Sequence, residues 1–209
     1  MLSAIDALEI LRQGNRRFVS GSASVETRSR RSPRNDVVTR QQPFAVVLGC
    51  ADSRVPVEII FDRAFGDLFV IRVAGNIVDR SQIGSVEFAA EQFGTRLIVV
   101  LGHSRCGAVE ATLEDVRRPG KNHSPNVHFI IDRIRPAVEE LLTIQPTCNP
   151  ADLLRGAVRA NVRAAANALR RECDSLGDPM GRGALMVVGA EYSLETGVVE
   201  FFDGLPETD

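Results

Sequence analysis

The sequence predicts an α/β fold with a mostly parallel central sheet, and three observations carry that expectation. Short apolar runs alternate along the chain with longer segments of helical periodicity. Two of the runs, PFAVVLGC (43–50) and RLIVVLGH (96–103), are apolar at nearly every position, as strands buried on both faces of a sheet must be. Each of these two ends on a glycine followed by a Cys or a His, and functional residues of such sheets collect at the carboxyl ends of the strands.

The elements follow in order. Leu2 to Phe18, with Ile5, Leu8 and Leu11 in phase, reads as an amphipathic helix. Residues 20–43 are rich in Ser, Arg and Pro, and Arg28, Arg30, Arg31, Arg34 and Arg40 lie close together. No aromatics are interleaved with these charges, so the segment reads as a solvated connecting arm and not as a nucleic-acid patch. After the strand at 43–50, LFVIRVAGN (68–76) is a second strand running into a Gly-Asn turn. Ser81 is the expected cap of a helix through Phe93, with Ile83, Val86, Ala89, Ala90 and Phe93 on one face.

The third strand is 96–103, and a helix begins near Cys106. Two longer helices are expected at about 125–144, with Pro136 as a point of kinking or breakage, and at 151–173. ALMVVGAEY (184–192) and GVVEFF (197–202) read as an antiparallel hairpin. The sum is about four parallel strands plus an antiparallel C-terminal edge strand, flanked by helices, in a single domain spanning 1–209 with an N-terminal helical arm over 1–40.

Composition sets limits on partners and place. With 209 residues and a net charge of −2, the chain has no global attraction for nucleic acid or anionic membranes. No apolar run reaches the roughly 18 residues that cross a bilayer. The N-terminus carries acidic residues within its apolar stretch and lacks a secretory cleavage pattern, so a cytoplasmic location is expected. Four unevenly placed cysteines suit metal ligands or packed thiols better than a disulfide scaffold.

Two segments carry the chemistry. Cys50-Ala-Asp-Ser-Arg54 and His103-Ser-Arg-Cys106 together offer two thiolates, an imidazole and a carboxylate, donor types that zinc takes in tetrahedral geometry. In H-x-x-C the two ligands are three apart, so both can face one ion from a single turn. Either segment alone is a weak signal; both at strand ends form a strong one.

On these two motifs, with GDLFVIRVAGN (66–76) between them, the chain resembles the β-class carbonic anhydrases over nearly its whole length. The resemblance implies Cys50, His103 and Cys106 as ligands of one Zn²⁺ per chain, and reversible hydration of carbon dioxide to bicarbonate and a proton. That reaction needs hydroxide at neutral pH, which a metal supplies by lowering the pKa of bound water. Two thiolates neutralise the charge of the ion and blunt this effect, so additional help is expected. Asp52 can accept a hydrogen bond and orient the nucleophile, provided Arg54 holds it off the metal in a bidentate pair. If Arg54 lets go, Asp52 becomes a fourth metal ligand and closes the site, an equilibrium expected to favour the open state at higher pH.

The likeness extends to other positions. Gln41 matches a glutamine that reaches across a dimer interface to the substrate, and Phe69 and Ala74 fall where the family lines a small apolar pocket for carbon dioxide. Gly102 is expected to present backbone to the site. Arg72 and Tyr192 match two members of an inhibitory bicarbonate site found in some bacterial relatives, but Val47 stands where its Trp would be. The resemblance also implies a homo-oligomer, a dimer or tetramer, with the N-terminal helix packed on a partner subunit.

Three alternatives compete with hydration of carbon dioxide. A carbonyl sulfide or carbon disulfide hydrolase would use the same ligands. A thiol hydrolase would use Cys50 as nucleophile and His103 as base. A non-catalytic metal protein would have no need of Asp52 and Arg54. Ser53, Cys148, Cys173, His123 and His128 read as structural or surface residues.

Overall fold

The computed structural model describes residues 2–23, 38, 41–118, 120, 123–144, 149–175 and 185–206, with residues 173–175 described by their backbone alone. The sheet is built from β1 (Ala45–Gly49), β2 (Leu68–Arg72), β3 (Leu97–His103), β4 (Met186–Tyr192) and β5 (Val199–Asp203). Their spatial order is β2-β1-β3-β4-β5. The first four strands run parallel, and β5 pairs antiparallel with β4.

Side-chain alternation explains why β1 and β3 are apolar throughout. Ala45 and Val47 of β1, with Leu97, Val99 and Leu101 of β3, enter one core beneath α1 (Ala4–Val19) and the short α2 (Val57–Ile60). Val46 and Leu48, with Ile98 and Val100, enter the opposite core under α3 (Arg80–Phe93) and α6 (Pro150–Ser175). A third cluster joins Cys50 and Cys106 to α4 (Gly107–Arg117), α5 (Pro125–Ile144) and α6 at the carboxyl edge of the sheet.

One local expectation is corrected and two are made more definite. The cap of α3 is Asp79, not Ser81: Asp79 and Gln82 form a reciprocal capping box, which satisfies two otherwise unpaired backbone donors. The second strand stops at Arg72, because Ala74–Asn76 turns into a single 3₁₀ turn in which Gly75 takes φ 69°. α5 runs unbroken through Pro136.

α1 packs one side on its own chain, while its Ile5 and Val19 stay exposed. Ala7, Leu8, Leu11, Gly14 and Asn15 are buried. A Cβ at Gly14 would lie 1.8 Å from the Phe61 carbonyl oxygen, so only glycine permits this approach. Asn15 donates to the carbonyls of Ile60 and Gly197 and accepts from the Val199 N–H, which ties α1 to β5. Most of the arginine-rich arm lies outside the described residues. No described helix is long and apolar enough to cross a membrane.

Candidate metal centre

Strand geometry brings the two motifs together. β1 and β3 are adjacent and in register, Gly49 facing Leu101, so Cys50 one residue beyond β1 meets His103 at the end of β3. Cys106 follows one turn later as the N-cap of α4. One ligand atom from each of Cys50, His103 and Cys106 falls within 4.8 Å of the others, and all three residues are at most 5% exposed. A tetrahedral zinc ion needs its ligands roughly 3.3–3.8 Å apart, so the cluster needs little contraction to hold one.

Two further observations test that fit. His103 Nδ1 lies 2.9 Å from the Ser104 carbonyl oxygen, which makes Nδ1 the donor and leaves the Nε2 lone pair available. Nε2 is buried without a hydrogen-bond partner, a costly state for a polar atom unless it has a ligand. The Cys50 sulfur accepts from the backbone N–H groups of Asp52 and Gly75, each at 3.4 Å. Shared hydrogen bonding with Cys106, then contact with His103 and these N–H donors, holds the Cys50 thiol below the usual range. Cys50 and burial push the Cys106 thiol up, so the two sulfurs share a proton that a divalent cation would replace. The residues present therefore suit a zinc ion.

At the rim, Arg54 grips Asp52 as the motif predicts. Arg54 Nε donates to Asp52 Oδ1 at 2.9 Å, a terminal nitrogen donates to Oδ2 at 2.7 Å, and the Arg54 backbone N–H also reaches Oδ1. This pairing holds the Asp52 carboxyl well below the usual carboxylate range. Asp52 Oδ2 is 3.9 Å from His103 Nε2, so the carboxylate borders the cluster while bound to Arg54. Arg54 itself is about half exposed, its side chain at 53%.

Arg72 and Asn161 support the site, and sequence reasoning gave neither this role. Arg72 donates to the carbonyls of Cys50 and Asp52, at 3.0 and 2.5 Å, and so fixes the 50–54 loop. Asn161 of α6 donates to the Gly75 carbonyl at 2.8 Å, which pins the turn whose N–H faces the Cys50 sulfur. Only an i-to-far contact reveals either residue, so no local pattern could have found them.

The expected substrate residues do not all gather at the cluster. Ala74 lies beside Gly75 in the turn facing Cys50. Phe69 instead packs with Phe88 and Phe93 against α3, ring centroids 6.1–6.2 Å away. Gln41 precedes β1 and so sits at the opposite end of that strand from Cys50. Gly102 has a packing role: a Cβ there would come within 2.5 Å of Val162 Cγ2 on α6. Val47 is fully buried between β2 and β3, and Tyr192 is buried opposite His103. His123 and His128 meet edge to face, 5.5 Å between centroids. Cys148 and the side chain of Cys173 lie outside the described residues.

Comparison with known proteins agrees with this geometry. A sequence model of the family described as carbonic anhydrase matches residues 45–199. "Carbonic anhydrase 2" of Mycobacterium tuberculosis is 35% identical over 198 residues, covering 92% of this chain and 90% of that protein. The carbonic anhydrase of Mycolicibacterium smegmatis is also 35% identical, over 94% of this chain and 92% of its own length. Among solved structures, the β-carbonic anhydrase CcaA superposes with a TM-score of 0.74 at 27% identity, covering 95% of this chain and 96% of that one. The Aspergillus fumigatus enzyme CafA shares the fold, with a TM-score of 0.73 at 22% identity over 97% of this chain and 93% of its own.

Proposed function

The chain belongs to the β-class carbonic anhydrase family, and from that premise we propose that it catalyses the reversible hydration of carbon dioxide at the Cys50–His103–Cys106 cluster. One observation carries the assignment to this site: two sulfurs and a buried, unpartnered imidazole nitrogen converge beside a carboxylate that Arg54 holds at their edge. Cys50, His103 and Cys106 would hold the zinc ion, one per chain. Zinc in such a site supplies water acidified enough to act as a nucleophile at neutral pH.

The remaining work falls to the chain's own residues. Asp52 is ionised at neutral pH and accepts a hydrogen bond from the attacking water, which aims a lone pair at the carbon of the substrate. Arg54 keeps that carboxylate in place and away from the metal. If Arg54 releases it, Asp52 is free to ligate the ion and close the site. Because the Asp52 carboxyl is held low, its own protonation does not drive that closure near neutrality. Ala74 borders the site directly, while Gln41 and Phe69 can contribute only from a neighbouring subunit.

That geometry supports a homodimer, possessing the capacity to pair into a tetramer. β2 is an open sheet edge, and Phe65 and Phe88 near it are 65% and 51% exposed. The Sordaria macrospora relatives of the same fold are described as tetrameric. Free, buried ligand thiols suit a reducing compartment, which favours the cytoplasm.

A second sulfur, that of Cys106, beside the Cys50–His103 pair has no use in a thiol hydrolase, and so favours the metal reading. Stopped-flow carbon dioxide hydration, run beside carbonyl sulfide hydrolysis on zinc-loaded and chelator-treated protein, tests the assignment. Zinc-dependent hydration is expected to dominate; turnover of carbonyl sulfide alone would replace it with the hydrolase reading.

A further inference from the structure

The turn between His103 and Cys106 is not at rest by itself. Arg105 takes φ 56°, in the left-handed region that costs a side-chain-bearing residue about 1 kcal/mol or more. Ser104 must also hold its carbonyl where His103 Nδ1 can reach it. One side chain from a distant part of the sequence touches both intervening residues.

That side chain is Glu195, in the turn between β4 and β5. Its Oε2 accepts from Ser104 Oγ at 2.7 Å, and its Oε1 lies 2.8 Å from Arg105 Nε. Ser104 Oγ in turn accepts from the Leu194 N–H at 2.9 Å, and the Ser104 N–H donates to the Tyr192 carbonyl. The Arg105 carbonyl lies 3.5 Å from the Arg54 guanidinium, the group that holds Asp52. Glu195 lines the same cavity of about 1040 Å³ as Asp52 and Arg54.

We infer that Glu195 is a positioning residue for the metal centre: it clamps Ser104 and Arg105 together and so fixes the turn that sets His103 against Cys106. The inference rests on the zinc reading of that cluster. Hydrogen-bonding partners behind metal ligands typically govern metal affinity by 10–100-fold, and Glu195 acts one residue further out, so about ten-fold is expected. A role confined to joining the hairpin to β3 would lower thermal stability and leave the metal untouched.

The test uses the full chain, as wild type, Glu195→Ala and Glu195→Gln. Zinc transfer to a chromophoric chelator, the visible absorption of the cobalt-substituted protein and the thermal midpoint are measured together. Glu195→Ala is expected to surrender zinc about ten-fold faster and to shift the cobalt bands, which report ligand geometry. Glu195→Gln keeps one oxygen acceptor and falls between the two; should Glu195→Ala not fold, it decides the matter. Adding Ser104→Ala to Glu195→Ala should accelerate release by less than the product of the single effects. Release rates and cobalt spectra identical to wild type would overturn the inference, even with a lowered midpoint. A wild type that binds no zinc would instead overturn the metal reading.

Discussion

The deep half of the centre and its rim are built by different means. Cys50, His103 and Cys106 are at most 5% exposed, each placed by a strand end or a helix start. Asp52 and Arg54 lie in the loop between β1 and α2, and the arginine that holds the carboxylate is half in solvent. A ligand fixed by the backbone can move only if the sheet moves. A carboxylate fixed by one half-exposed arginine, through its side chain and its backbone N–H, can exchange partners more readily, since exposed ion pairs are individually weak. The difference separates holding the metal from controlling what happens beside it.

The largest effect should come from the deep half. His103→Ala or Cys106→Ser is expected to remove zinc binding and bring hydration to background, read by metal analysis and stopped flow on one sample. Either variant retaining stoichiometric zinc with full activity would break the division at its root. At the rim, Asp52→Ala should keep its zinc yet lose on the order of 10²-fold in kcat, within the range for a positioned proton-handling group. Arg54→Lys loses the two-pronged grip while keeping the charge, and should cost about ten-fold in kcat.

Acid titration sharpens the same contrast. The Asp52 carboxyl is held low chiefly by its hydrogen bonds from the Arg54 side chain. A depressed carboxyl contributes stability that is present above its unfolded pKa of about 3.9 and is lost as pH falls through the folded value. Wild type and Asp52→Asn should therefore differ by a constant amount from pH 5 to 8, and converge only below about pH 4. Denaturant midpoints across that range check it; convergence near pH 6 would mean that Arg54 does not hold the carboxylate.

The smallest effect concerns a residue that the resemblance placed in the substrate site. Gly102→Ala crowds Val162 and should destabilise the fold by about 1–3 kcal/mol. The melting temperature of a chain this long falls by roughly 2–4 °C per kcal/mol, and KM should not change.

The two halves also differ in how openly the sequence displayed them. The ligands stood out because an apolar strand ending in Gly-Cys or Gly-His combines a buried-strand pattern with a metal donor. Asp52 and Arg54 were readable because they share one short motif. The α3 cap was misplaced at Ser81 although Asp79-x-x-Gln82 carries the capping-box signature in plain sequence. Arg72, Asn161 and Glu195 were not readable, because each acts on residues 20 or more positions away in sequence. Gly102 was expected to present backbone to the site, and its close packing against α6 is disclosed only by the helix position.

Zinc content and carbon dioxide hydration, measured together on wild type and Asp52→Ala at neutral pH, test the separation of holding from control most directly. One zinc per chain is expected in both proteins, with a large loss of hydration in the variant alone. Loss of zinc from Asp52→Ala, or full hydration by it, would show that holding the metal and controlling its chemistry are not separate.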